Sequence, residues 1–331
     1  MAVLPGADGP QSTRTISSLG GTAPKPLRTS LRQDLQTSAE ALLKAQKGPS
    51  ALVAIRPSSG EILVAASGAG SNGYDTAFLG RYAPGSTFKV VSALALLRSG
   101  LNVTDPVQCT ATISVQGRTV TNFPDYPADK LGTISFKTAI ANSCNTVMIR
   151  GADRAPQASL AGAAESLGLT RNETDGPFFG TVSADDAGAE HQVAMIGQGK
   201  VLASPLGMAT VAASVAKSAR VSPYLLPDHK PAAVEAPATP LTAAEAASLR
   251  ELMRAVVTEG GATAIKSLPG APVLAKTGTA EYGTGPSPKT HSWMIAIQGD
   301  LAVSVFVETG GYGGVTCLPI VKSFLTAAAQ A

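Results

Sequence analysis

Charge is scarce in this 331-residue chain. Asp, Glu, Lys and Arg make up 15% of it, against roughly 25% in ordinary soluble domains. The 26 cationic and 23 acidic residues leave a net charge of +3, and Lys and Arg nowhere cluster, so the footprint of a nucleic-acid-binding protein is missing. Long apolar runs are missing too. Those near 51–55, 62–66 and 90–97 stop well short of the roughly 18–20 residues that a membrane span needs. The opening MAVLPGADGPQSTR lacks the basic start and apolar stretch of a secretory signal, so no export address is visible. Cys109, Cys144 and Cys317 lie far apart, without CxxC or Cys/His spacing, which removes the support for a zinc site. Pairing cannot be read from spacing, and buried thiols are favoured over one bridge plus a free thiol. The three histidines, His191, His229 and His291, are isolated, and no motif assembles a Ser-His-Asp triad from them. What the chain does have is 44% hydrophobic residues, many of them Ala, with 34 Gly and 23 Pro. That is enough for one large domain or two modest ones with a sizeable core, and too much for a disordered chain.

Residues 1–29, rich in Gly, Pro, Ser and Thr, read as a tail or the remnant of a preceding region. The domain opens near Ser30. Leu31, Leu35, Ala39, Leu42 and Leu43 recur at helical spacing up to Gly48-Pro49. Strand-like runs at 51–55 and 61–66 flank Arg56-Pro57-Ser58-Ser59-Gly60, a hairpin signal. After a glycine-rich loop, Phe88, Val91, Leu94 and Ala95 line one face of a helix that starts at Ser86 and stops at Gly100. The stretch from about 105 to 220 reads as mainly helical. Five prolines between Pro223 and Pro240 mark a surface loop, and Thr242 with Glu245 forms a capping box. Three strand-like runs follow, near 272–276, 291–298 and 301–307, then a helix near 318–329. The expectation is an α+β sandwich: a mostly antiparallel five-stranded sheet closed by both chain ends and flanked by helices. A sheet subdomain would cover about 30–80 and 260–330, and an inserted, mainly helical subdomain about 85–255.

Several chemistries lose their usual signatures. Gly68-Ala69-Gly70-Ser71-Asn72-Gly73 matches GxGxxG, but no regular helix opens from it and no acidic residue follows in a βαβ context, so a loop is expected. Neither GxxxxGK[ST] nor GxSxG occurs. Ser86-Thr-Phe-Lys89 is an SxxK motif, whose spacing places an amine and a hydroxyl one turn apart on one helix face. Ser214-Val-Ala-Lys217 has the same spacing, so the motif alone decides nothing. Company decides: downstream of Ser86 lie Ser143-Cys144-Asn145, the chain's SxN, and Lys276-Thr277-Gly278-Thr279, its KTG.

With these motifs the sequence resembles the penicillin-binding proteins and their serine β-lactamase relatives. YAPGSTFKVVSALALL, SCNTVMI, IGQGKVLASPLGMATVAASVA, AKTGTAEYG, HSWMIAI and VFVETGGYGG look like segments of class B transpeptidase domains. The resemblance covers about residues 28–330. It implies that Ser86 attacks the carbonyl of a D-Ala-D-Ala bond, or of a β-lactam that mimics it, to give an acyl-enzyme. Lys89 would be the base, which requires its amine to be neutral part of the time, and Lys276 the second cation that lowers it. Asn145 would hold Lys89 or the substrate amide, and Ser143 would relay a proton to the leaving amine. Thr277 and Thr279, with Lys276, would bind the terminal carboxylate. Gly278 would leave room for the substrate backbone, and the backbone N–H groups of Ser86 and Thr279 would form the oxyanion hole. Trp293 suits the core at least as well as the cleft wall, and Gln198-Gly199 and Gly310–Gly314 suit loops near the site.

The function implied is a D,D-transpeptidase that cross-links peptidoglycan stem peptides and is inhibited by β-lactams. It would need no cofactor and no metal, with cell-wall synthesis proteins as further partners. A β-lactamase, a D,D-carboxypeptidase and a non-catalytic β-lactam sensor share these motifs. Glu165 and Glu173 lie in AAESLGL and RNETDG, neither of which resembles the loop that carries a water-activating glutamate in class A β-lactamases. Such chemistry belongs outside the cytoplasmic membrane, so the missing export address and anchor are expected of a truncated form of a membrane-associated parent.

Overall fold

The computed structural model describes residues 2–5, 13–17, 26–170, 176–229, 236–283 and 288–330. Its centre is one five-stranded sheet. Ser50–Ile55 (β1) and Ile62–Ser67 (β2) come from the start of the chain, and Leu274–Tyr282 (β3), Lys289–Gln298 (β4) and Leu301–Val307 (β5) from its end. The order is β3-β4-β5-β1-β2, with every pairing antiparallel. This is the expected α+β sandwich. Every residue of β1 is buried, so both sheet faces are covered and the strand reads as a continuous apolar run rather than an alternation. Gln33–Leu43 (α1) and Gly313–Ala328 (α5) pack on each other and on the sheet. Pro205–Lys217 (α3), an Ala-rich and almost wholly buried helix, packs on β1, β4 and β5.

The two sheet edges are treated differently. At β2 the outer backbone groups are occupied: Arg32 N–H donates to Leu63 O, Ile62 N–H to Tyr224 O, and the Gln36 amide exchanges two bonds with Ala65 as a neighbouring strand would. The edge is closed to further pairing. At β3 the outer edge faces the turn that carries Ser86.

Between β2 and β3 lies the helical insert, including Lys89–Arg98 (α2) and Ala243–Thr258 (α4), the latter opened by the expected Thr242/Glu245 capping box. The insert contains more strand than its sequence suggests. Pro106–Cys109 pairs with Gly132–Ser135, and Thr112–Val115 with Arg118–Thr121. The second pair turns at Gln116-Gly117, both at positive φ, as a two-residue type I′ hairpin requires. Within the first 29 residues, Ala2–Pro5 pairs with Thr13–Ser17 where no element was expected. The KTG strand continues to Tyr282, and α5 starts five residues before the expected 318. The Gly68–Gly73 loop holds a single 3-10 turn, Ala69–Ser71. Among the described residues no helix is long and apolar enough to cross a membrane.

Candidate active site

Ser86 sits on a 3-10 turn, Gly85–Phe88, that runs directly into α2. In 3-10 geometry residues i and i+3 eclipse, so the turn sets Lys89 in line with Ser86. Ser86 is half-buried, whereas Lys89 is wholly buried at the head of an apolar helix. Lys89 Nζ donates to Ser143 O at 2.7 Å, Ser143 Oγ at 3.2 Å and Asn145 Oδ1 at 2.6 Å. Lys276, also wholly buried, donates to the same Ser143 Oγ at 2.9 Å and to Thr277 O at 2.8 Å. The Ser143 oxygen thus accepts from two amines, which leaves its own proton uncommitted.

Two ammonium groups in so small a dry space are expensive. Burial, and then the Lys276 charge, hold the Lys89 amine well below the usual lysine range. Burial alone brings Lys276 down to about 7.

The SxN residues are fixed locally. Helix Phe136–Ala141 ends at Asn142, after which Ser143 N–H bonds to Ile140 O and Cys144 N–H to Ala139 O. This is a Schellman C-terminus with Ser143 at the left-handed position, φ 58°, where glycine is the usual occupant. Asn145 then opens helix Asn145–Arg150. Its side chain is oriented from both ends, with Oδ1 on Lys89 and Nδ2–H on Thr121 O, while its own N–H donates to Asn122 Oδ1. Asn122 and Thr121 were not found by sequence reasoning; they lie more than 20 residues from Asn145 in an unremarked hairpin.

Cysteine is the clearest correction. Cys109 and Cys144 form a disulfide, and Cys317 is the buried free thiol. The x of SxN is therefore covalently tied to strand Pro106–Cys109, a pairing that becomes legible only when the fold brings the two together.

The KTG strand reaches the turn through glycine. A side-chain carbon at Gly278 would lie 2.8 Å from Thr87 N and 2.9 Å from Pro84 O. Its missing side chain therefore lets β3 approach the Ser86 turn, and the space expected for a substrate backbone is filled by the protein itself on that side. At Gly85, φ +52°, a side-chain carbon would run into the Thr279 carbonyl. An extended residue directs its N–H and C=O to the same side, so the Thr279 N–H also faces the turn. Thr279 Oγ1 accepts from Gly313 N–H at the head of α5. Thr277 Oγ1 makes no hydrogen bond among the described residues.

The other candidates separate cleanly. Ser214 is buried and bonds to Leu167 O and Val221 N, while Lys217 is exposed. The second SxxK is thus a helix-packing residue beside a surface lysine. Trp293 is fully buried, as a core residue. His291 is buried and bonds to Glu308 O through Nδ1. His229 has no described side chain, and Glu173 lies outside the described residues.

The sequence model for the penicillin binding protein transpeptidase domain matches residues 50–326. The chain belongs to that family. Over 273 residues it is 32% identical to the peptidoglycan D,D-transpeptidase PbpA of Mycobacterium tuberculosis, covering 75% of this chain and 55% of the relative. PbpA of Mycolicibacterium smegmatis is also 32% identical, over 281 residues with the same coverage. The chain thus spans about half the length of these relatives. The M. tuberculosis penicillin-binding protein A structure, a ceftriaxone acyl-enzyme complex, superposes with a TM-score of 0.80 at 27% identity, covering 91% of this chain and 79% of that one. A penicillin G acyl-enzyme complex of the same protein gives 0.77, with 92% and 80% covered. The sheet with its β3 edge against the SxxK turn is thus the fold of this family.

Proposed function

We propose that this transpeptidase domain cross-links peptidoglycan stem peptides through a Ser86 acyl-enzyme, with β-lactams as covalent inhibitors. The observation that carries this reading is the buried relay Lys89–Ser143–Lys276, with one hydroxyl held between two amines of lowered pKa. Ser86 is a weak nucleophile until a base takes its proton. Loss of one Lys89 proton frees a lone pair one turn from Ser86 Oγ. The hydroxyl proton passes to that amine as Oγ bonds to the carbonyl carbon of the D-Ala-D-Ala amide. The oxyanion then receives the Ser86 and Thr279 N–H groups, each worth about 3–4 kcal/mol.

Collapse breaks the C–N bond. The departing D-Ala nitrogen takes the uncommitted Ser143 proton, which Lys89 restores. An acceptor amine then attacks the ester, and the same steps run in reverse. Lys276, Thr277 and Thr279 would bind the substrate's terminal carboxylate. Residues 30–330 would act as one catalytic unit, and the parent protein would work on the outer face of the membrane alongside other cell-wall synthesis proteins. Of the two glutamates weighed for a class A β-lactamase route, Glu165, on helix Gln157–Ser166, makes no hydrogen bond to any residue of the relay.

Incubation with a fluorescent penicillin followed by intact mass and peptide mapping tests the reading. The expected result is one adduct on Ser86 that persists for hours and is absent from Ser86→Ala. Lys89→Ala should stop acylation while Lys217→Ala keeps the wild-type rate. An adduct that survives Ser86→Ala, or equal rates for the two lysine variants, sinks the mechanism.

A further inference from the structure

Ser86 Oγ makes no hydrogen bond among the described residues, so its position is set by the backbone before it. That segment, Tyr82-Ala83-Pro84-Gly85, is gripped at three points. Tyr82 exchanges backbone bonds with Ala203, Gly85 N–H donates to Gly197 O at 2.9 Å, and Trp293 Nε1–H donates to Ala83 O at 2.9 Å. Among the described residues Trp293 is the one side chain from outside the turn that bonds to this backbone. It sits on β4, beside β3, paired in register with Gly278. Its ring lies 4.5 Å from Phe306, which stacks at 4.2 Å on Tyr82. One tryptophan thus grips the turn directly through Ala83 and, through Phe306, at Tyr82. A buried indole N–H and the carbonyl it meets are each costly to leave unpaired, so this bond ties the position of Ala83 to that of Trp293.

We propose that Trp293 is a positioning residue for acylation: its Nε1–H holds the segment that places the Ser86 hydroxyl and the Ser86 N–H opposite β3. The proposal rests on Ser86 being the acylated nucleophile. It acts on the geometry of attack and of the oxyanion hole, not on the base, since Trp293 bonds to neither Lys89 nor Lys276.

The chain's single tryptophan permits an isosteric test. Replacement of tryptophan by 3-benzothienylalanine during expression puts sulfur where the N–H was and changes only position 293. With fluorescent penicillin, the substituted 331-residue chain should show an acylation rate constant about tenfold lower, with a dissociation constant for the initial complex within twofold of wild type. Its pH profile should be unmoved, because the lysine pair is untouched. Phe306→Leu, which loosens the same packing but keeps the N–H, should lower the melting temperature at least as much while costing less than threefold in rate. A rate within twofold of wild type for the sulfur isostere overturns the proposal, as does a loss no larger than that of Phe306→Leu. Wild-type protein that forms no Ser86 adduct would instead overturn the underlying mechanism.

Discussion

Ser143 is the residue where stability and chemistry pull apart. Its left-handed φ closes a helix C-terminus, a position where a non-glycine residue costs about 1–3 kcal/mol, yet its hydroxyl accepts from two lysines. Ser143→Gly and Ser143→Ala both remove that hydroxyl and differ only in backbone freedom. Glycine regains the strain but loses about 0.4–1 kcal/mol through its freer unfolded chain. The expected outcome is that the Gly variant is more stable than the Ala variant by about 1 kcal/mol in urea melts, with acylation at least 100-fold below wild type in both. Equal stabilities would show that the turn carries no strain. Ser86, Lys89, Ser143, Asn145 and Lys276 were legible because each sits in a short motif whose spacing is itself the signal. Asn122 and the carbonyls of Ala83 and Thr121 were not. They act through single hydrogen bonds to residues 23–210 positions away, and one side-chain or backbone oxygen has no local pattern to mark it.

At the scale of elements, the Cys109–Cys144 bridge joins a strand of the insert to the start of helix Asn145–Arg150 across 35 residues of chain. Loop-closure entropy for that separation corresponds to about 3–4 kcal/mol. Replacing both cysteines by alanine should lower unfolding free energy by about that amount in denaturant melts, and Cys317→Ala should leave the dithiothreitol response of the melt unchanged. A double variant as stable as oxidised wild type would mean that the strand and helix hold each other without the bond. Strands buried on both faces and the capped helix α4 were readable, because their apolar runs and cap residues are contiguous. The Gln116-Gly117 hairpin and the early start of α5 were not. The hairpin's short strands are half exposed, and Gly313 opens α5 because it packs against Gly278 and the Trp293 carbonyl, contacts that only the sheet creates.

For the whole molecule, the two buried lysines couple stability to pH. Their folded pKa values lie below the 10.5 of a free lysine. Between the folded and unfolded values the unfolded chain therefore binds more protons, and stability rises with pH. For Lys276 that window runs from about 7 to 10.5. The melting temperature should climb from pH 7 to 9, and Lys276→Met should flatten the climb. A wild-type profile that stays flat over that range would show that both lysines remain charged in the folded state.

Composition and motif spacing by themselves pointed to a chain that folds around a large core and to the chemistry of an SxxK serine. They did so because burial follows apolar content and because the helix turn converts sequence spacing into proximity. Only the tertiary structure decided that two lysines share one serine oxygen and that a scarce cysteine in the SxN motif is bridged to a strand of the insert. Each of these depends on bringing together groups that sequence keeps 35 to 187 residues apart, and no local rule of backbone or side chain carries that distance.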